Sequence, residues 1–204
     1  MKATTKPLTA LVLLAGMGLA STSEAALIER LGGLAVYDTD LNITWLANAN
    51  GNGQMHWSDA NAWATGLNVD GYTGWRLPTA DPPCGANFNC TGSELGHLYY
   101  TELGVTQKNK ITSSTSPYLQ LFTNVKDSVY WTSTGHAPPL TSTAWTFNTA
   151  VGFQDYIFQS NDGYAWAVRS GDIAVPEPGV MWLIGAGALA WAGTGARRKA
   201  ARVI

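Results

Sequence analysis

Apolar residues in this chain of 204 residues form two terminal blocks and a patterned middle. The first block runs from Leu8 to Leu19 without a charge, and the second from Gly179 to Gly195, also without a charge. Between them the period changes along the chain. Gly33 to Tyr37 and Leu41 to Leu46 alternate, or carry the β-formers Ile43, Thr44 and Trp45, and read as strands. Trp57, Ala60, Trp63, Ala64 and Leu67 recur at helical spacing behind Ser58 or Asp59, either of which can cap a helix there. A second helix is predicted from Ser93 to about Leu103, with Leu95, Leu98, Tyr99 and Leu103 on one face and Gly104 as its stop. The remainder predicts strands over Val129 to Thr132, Thr143 to Thr149, Phe153 to Phe158 and Tyr164 to Val168. In the last of these, Tyr164, Trp166 and Val168 are expected on one face, and Ala165, Ala167 and Arg169 on the other. Two helices followed by a β-rich half predict an α+β domain with a twisted antiparallel sheet.

The two apolar blocks are addresses rather than core. Lys2 and Lys6 precede the first, and Ser23-Glu24-Ala25 supplies small residues for a cut before Ala26, so residues 1–25 read as a secretory signal peptide. The run is too short for a bilayer, which needs about 20 apolar residues. The C-terminal block follows Pro176-Glu177-Pro178 and ends in Arg197, Arg198, Lys199 and Arg202, a stop-transfer pattern with the cations on the cytoplasmic side. Its apolar helix is expected over about 179–195. The order of Pro-Glu-Pro, apolar run and basic cluster over 174–204 resembles the PEP-CTERM sorting signal of Gram-negative bacteria. That resemblance implies an exosortase-type protease as partner. It also implies an inner-membrane intermediate and release to the cell surface or an extracellular matrix. A plain membrane anchor is the alternative.

Without its ends the chain keeps residues 26–173, the size of one domain. Charge is unevenly shared: six Lys and Arg against twelve Asp and Glu remain there, a net charge near −6. Nucleic acid and anionic membrane surfaces are disfavoured partners, since both want a basic patch. Seven of the nine Trp precede the tail, in a domain with few charges. That composition suits a carbohydrate binder and suits equally a β-rich fold with large core residues. Cys84 and Cys90 are expected to form a disulfide that clips a Pro- and Gly-bearing loop, given an oxidising destination. His56, His97 and His136 stand on separate elements, so no metal site is expected. Asp38-Thr39-Asp40-Leu41-Asn42 opens like a calcium loop but lacks its Gly and Glu, and reads as a turn. Nucleophile-elbow, zinc-protease, phosphate-loop and dinucleotide patterns are absent, and no cofactor is expected.

The motif order is similar to the DUF1566 family, also called the Lcl C-terminal domain. Leu41 to Leu46, Trp57-Ser58-Asp59-Ala60, Gly71 to Thr79, Ser93-Glu94-Leu95, Val129 to Thr134 and Tyr164 to Arg169 carry the resemblance. Gly74-Trp75-Arg76-Leu77-Pro78-Thr79 is its most specific piece, and the Cys84–Cys90 loop departs from the pattern. The resemblance implies a C-type-lectin-like fold related to the formylglycine-generating enzyme group, and no enzyme activity. Within the motif, Trp75, Arg76, Pro78 and Glu94 are expected to be structural, with Arg76 clamping Glu94; ligand contact by Arg76 is the alternative. The functional expectation is a non-enzymatic surface domain that binds extracellular polysaccharide through Trp131, Trp145, Tyr156 and Trp166. At most half of those four are expected to touch ligand. An envelope protein–protein module is the alternative, and a hydrolase or oxidase the last choice.

Overall fold

The structure, a computed structural model, describes residues 26–173. The expected signal peptide and the expected apolar helix over 179–195 lie outside the described residues, as does the Pro-Glu-Pro tail. Ten strands and two helices build a mixed α and β fold with two sheets rather than the single sheet expected.

The first sheet has the order β1-β2-β3-β10, all antiparallel, from Leu27–Arg30, Ala35–Asp38, Ile43–Leu46 and Val168–Ser170. Asp38 turns the chain between β2 and β3: its Oδ1 accepts from the N–H groups of Asp40 and Leu41, and Asn42 takes the left-handed conformation with φ 51°. The second sheet has the order β4-β9-β6-β7-β8-β5. It is made by Gln54–Met55, Gly163–Tyr164, Val129–Gly135, Thr143–Asn148, Phe153–Phe158 and Asn87–Phe88. The β6 and β9 pair is parallel and the rest antiparallel.

The segment expected as one strand from Tyr164 to Val168 is divided between the two sheets. Tyr164 pairs in the second and Val168 in the first, and Ala165, Trp166 and Ala167 cross between them. A crossing segment has no solvent face. Ala165 to Val168 are therefore four consecutive buried residues, and the expected alternation fails. Trp166 sits at this crossing, edge-on to Trp45 at 5.3 Å and to Phe122 at 5.1 Å, with its indole N–H donated to the Leu46 carbonyl.

Helix α1, Trp57–Thr65, presses Ala60 and Ala64 into the core. It begins two residues earlier than a Ser58 cap would require, and three earlier than an Asp59 cap. His56 holds the cap position without a side-chain bond, and the free Trp57 N–H is taken by the Gln159 carbonyl. Helix α2 is short, Glu94–His97, and Ser93 caps it by accepting from the Gly96 N–H. The chain then widens into a π-helical turn over Leu98–Glu102. Leu95, Leu98, Tyr99 and Leu103 are all buried along this continuous path. Gly96 is obligatory here, since a Cβ would stand 2.0 Å from the Cys90 carbonyl oxygen.

The Trp75-to-Thr79 run ties the two sheets and α2 together. Arg76 exchanges both backbone hydrogen bonds with Val168 of the first sheet, and Pro78 accepts from the Ser133 N–H of the second. The Arg76 guanidinium grips Glu94 bidentately, with both N–O distances 2.7 Å. Glu94 also accepts from the Thr79 N–H at 2.7 Å, and Arg76 donates to the Leu77 carbonyl. The hydrogen bonds to Glu94 raise the Arg76 pKa above its ordinary value. Trp75 is buried beside this clamp, its indole bonded to the Tyr72 carbonyl.

Because Glu94 is largely buried and satisfied by three donors, Arg76→Met leaves its carboxylate poorly partnered. That variant is expected to lose about 2–4 kcal/mol in urea unfolding, between the values for exposed and fully buried pairs.

A second fork joins Arg30 to Asp172, with N–O distances of 2.7 and 2.8 Å. The hydrogen bond from Arg30 holds the Asp172 carboxyl below its ordinary 3.8. A depressed carboxyl stabilises the fold above its unfolded pKa, and that contribution disappears as pH falls through the folded value. The urea-midpoint gap between wild type and Arg30→Gln should therefore be constant at neutral pH and close as pH drops below 3.8.

Candidate functional site

Directly opposed residues on antiparallel strands project from the same face, and Trp145 on β7 stands opposite Tyr156 on β8. Their rings meet edge to face at 5.4 Å. A register shift in β6 between Trp131 and Gly135 brings the end of that strand around, so that His136 joins them. The imidazole lies nearly parallel to the Trp145 indole at 5.1 Å and tilts against Tyr156 at 4.6 Å. These three side chains line a groove of about 500 Å³.

The opposite wall is the clipped loop, which contributes Pro82, Gly85 and Ala86. Cys84 and Cys90 are disulfide-bonded, with their Cα atoms 5.7 Å apart. The ring encloses β5, which pairs with β8 through Asn87–Gln154 and Phe88–Phe153, so the loop extends the second sheet by one strand. Gln154 fixes it from below. This fully buried side chain accepts from the Asp81 N–H at 2.9 Å and donates to the carbonyls of Asp81 and Gly85 at 2.8 and 3.0 Å. A buried amide with both ends satisfied is a strong positional device, because each orphaned partner costs about 1–3 kcal/mol.

Of the four aromatics expected to meet ligand, two lie in the groove. Trp131 and Trp166 are fully buried, with their indoles bonded to the carbonyls of Met55 and Leu46, and they belong to the core. Trp131 is enclosed within β6, and Trp166 on the segment that crosses between the sheets, so neither can reach a ligand. Trp145 is 5% exposed yet packs outside the central cluster, as the groove floor. His136 covers one face of its ring, so Trp145 presents an edge. Tyr156 is 36% exposed, and Phe158, two residues along the same face of β8, is 60% exposed. Trp75, Arg76, Pro78 and Glu94 lie in the inter-sheet clamp and none lines the groove.

His136 and the loop residues were not anticipated as groove-lining. The only available signal was the Gly135-His136 step at a strand end, which gives no hint of a register shift. A second recess, about 260 Å³, is lined by main chain and small side chains between Gly104 and Thr115, with no aromatic ring.

Residues 174–199 match the PEP-CTERM protein-sorting motif, a span that includes Pro176, Glu177, Pro178, Arg197 and Arg198. The motif marks an exported chain, processed by an exosortase from a membrane-anchored sorting intermediate. Among curated proteins none matches the chain. No helix of the described residues is long and apolar enough to cross a membrane.

Gln154→Ala leaves the Asp81 N–H and the Gly85 carbonyl without partners, while the Asp81 carbonyl keeps the Cys84 N–H. Amide exchange should accelerate across Asp81 to Gly85 while α1 keeps its protection; uniform acceleration across the whole domain would contradict a local role.

Proposed function

We propose that this exported domain is a non-enzymatic module that binds extracellular polysaccharide in the groove between the clipped loop and β8. The observation that carries the reading is the accessible aromatic stripe of Tyr156 and Phe158 beside a groove floored by Trp145. Sugar rings present C–H faces that pack on aromatic faces, and their hydroxyls need nearby polar groups. His136 supplies a ring nitrogen at the groove, and the loop supplies main chain. An open groove rather than a closed pocket suits a chain threaded along its length.

The groove lining also supports binding over hydrolysis. Its titratable side chains are His136 and Tyr156, and no carboxylate lines it. Glycoside hydrolysis by the general route needs two carboxyl groups flanking the bond, about 5–9.5 Å apart. The DUF1566 resemblance and its C-type-lectin-like fold are consistent with this reading and belong to the proposal. The exposure of Phe158 gives the envelope-protein alternative its support, since a 60% exposed Phe is a natural contact for an apolar partner.

The test is binding of the processed protein to the producing cell's own extracellular polysaccharide. Tyr156→Ala is expected to weaken saturable binding about 5–10-fold, the loss of one aromatic stacking contact, and to lower the thermal midpoint by only a few degrees through the lost packing on Trp145 and His136. Saturable binding unchanged in Tyr156→Ala, or none in wild type, would reject the groove as a sugar site. In the second case, capture of an envelope protein dependent on Phe158 would select the alternative.

A further inference from the structure

We infer that Asp38, His97 and Glu102 form a binding site for a divalent transition-metal ion of the zinc class. One ligand atom from each lies within 4.8 Å of the other two. None of the three lines the groove, and the inference does not depend on the groove's function.

The path of the chain assembles this site. His97 ends α2, and Glu102 ends the π-helical turn that follows. Residues five apart stand about 140° apart around a regular α-helix and cannot share a ligand. The wider turn brings His97 Nε2 to 3.3 Å from Glu102 Oε1. Such turns recur at functional positions because they cost helix regularity. Asp38 arrives from the first sheet, at the β2–β3 turn. Its Oδ1 is occupied by the turn, while Oδ2 receives only a long 3.4 Å bond from the Trp45 indole.

Two observations point to a cation as the ligand of this cluster. Glu102 is buried, its side chain 1% exposed, and its Oε2 has no hydrogen-bond partner; among the described residues it is the one buried side-chain oxygen or nitrogen so left. An unpartnered carboxylate oxygen at that depth is costly unless something positive meets it. The charges are also unbalanced. Two buried carboxylates, Asp38 and Glu102, share one imidazole, and Asp40 adds a third carboxylate 3.8 Å from His97 Nε2.

The donor set selects the metal. An imidazole nitrogen with two carboxylates suits zinc and its first-row neighbours, whereas calcium and magnesium prefer all-oxygen shells. Ligands 2.0–2.2 Å from a tetrahedral ion stand about 3.3–3.6 Å from one another. The His97–Glu102 contact already has that spacing, and the Asp38 oxygen needs a shift of about 1 Å or a little more to reach it. Asp40, one-third exposed, marks the side open to solvent and can supply a fourth oxygen. A bound ion would fasten the β2–β3 turn to the π-helical turn.

The experiment uses the full chain without a polyhistidine tag, purified in detergent and stripped with EDTA. Thermal unfolding is followed with added Zn²⁺, Mn²⁺ or Ca²⁺, alongside visible absorption of the Co²⁺ form. Zn²⁺ at a hundredfold excess over its Kd is expected to raise the midpoint by about 5–10 °C, with Ca²⁺ ineffective. One equivalent of Co²⁺ should give ligand-field bands that Zn²⁺ displaces. His97→Gln, which keeps a hydrogen-bonding side chain, should abolish both responses; if that variant fails to fold, Asp40→Asn should weaken Zn²⁺ binding measurably. A wild-type protein indifferent to Zn²⁺ and giving no Co²⁺ bands would overturn the site. So would a folded His97→Gln protein that responds like wild type, which would place the metal elsewhere. Sugar binding that persists in EDTA leaves the groove reading intact in either case.

Discussion

The architecture depends on one planar contact, the fork between Arg76 and Glu94. Two sheets that share no strand must be held at a fixed offset, and the Trp75-to-Thr79 run is a single short stretch that bonds to both. Pro78 fixes the backbone at the point where the run passes from one sheet to the other. The guanidinium then locks that run to α2, and Glu94 locks it back through Thr79. Lysine could not replace Arg76, because only a rigid fork satisfies both carboxylate oxygens while a third donation reaches the Leu77 carbonyl. With α2 so placed, Gly96 comes against the Cys90 carbonyl, and the far end of the clipped loop is set by the same clamp.

The groove is thus a product of two supports on opposite sides of its loop. Ser93 bonds to the Cys90 carbonyl from the helix side, and Gln154 holds Asp81 and Gly85 from the sheet side. The disulfide closes the ring between them. Rigid walls lower the ordering cost of engaging a flexible ligand. A weak, extended polymer is the kind of ligand for which that saving matters most.

Local chemistry was legible in the sequence, and spatial convergence was not. The apolar face Leu95, Leu98, Tyr99 and Leu103 follows from periodicity, and Ser93 from its position before an acidic first turn. The Arg76 and Glu94 partnership followed from charge and from the planar fork of the guanidinium. The division of Tyr164 to Val168 between two sheets was invisible, because alternating residues look alike whether a strand continues or crosses the core. That same crossing takes Trp166 out of reach of any ligand. The register shift that delivers His136 to Trp145 leaves no compositional trace. The π-helical turn likewise has no simple signature, so His97 and Glu102 read as unrelated residues five positions apart.

Ile173 is fully buried, and the sorting motif starts at the next residue. Pro176 follows three positions later, so even a fully extended chain places it no more than about 10 Å from the packed core. Arg30 grips Asp172 at the same exit and prevents the last strand from peeling outward to lengthen this lead. The sorting motif therefore leaves the folded body with almost no slack between the last core residue and its Pro-Glu-Pro.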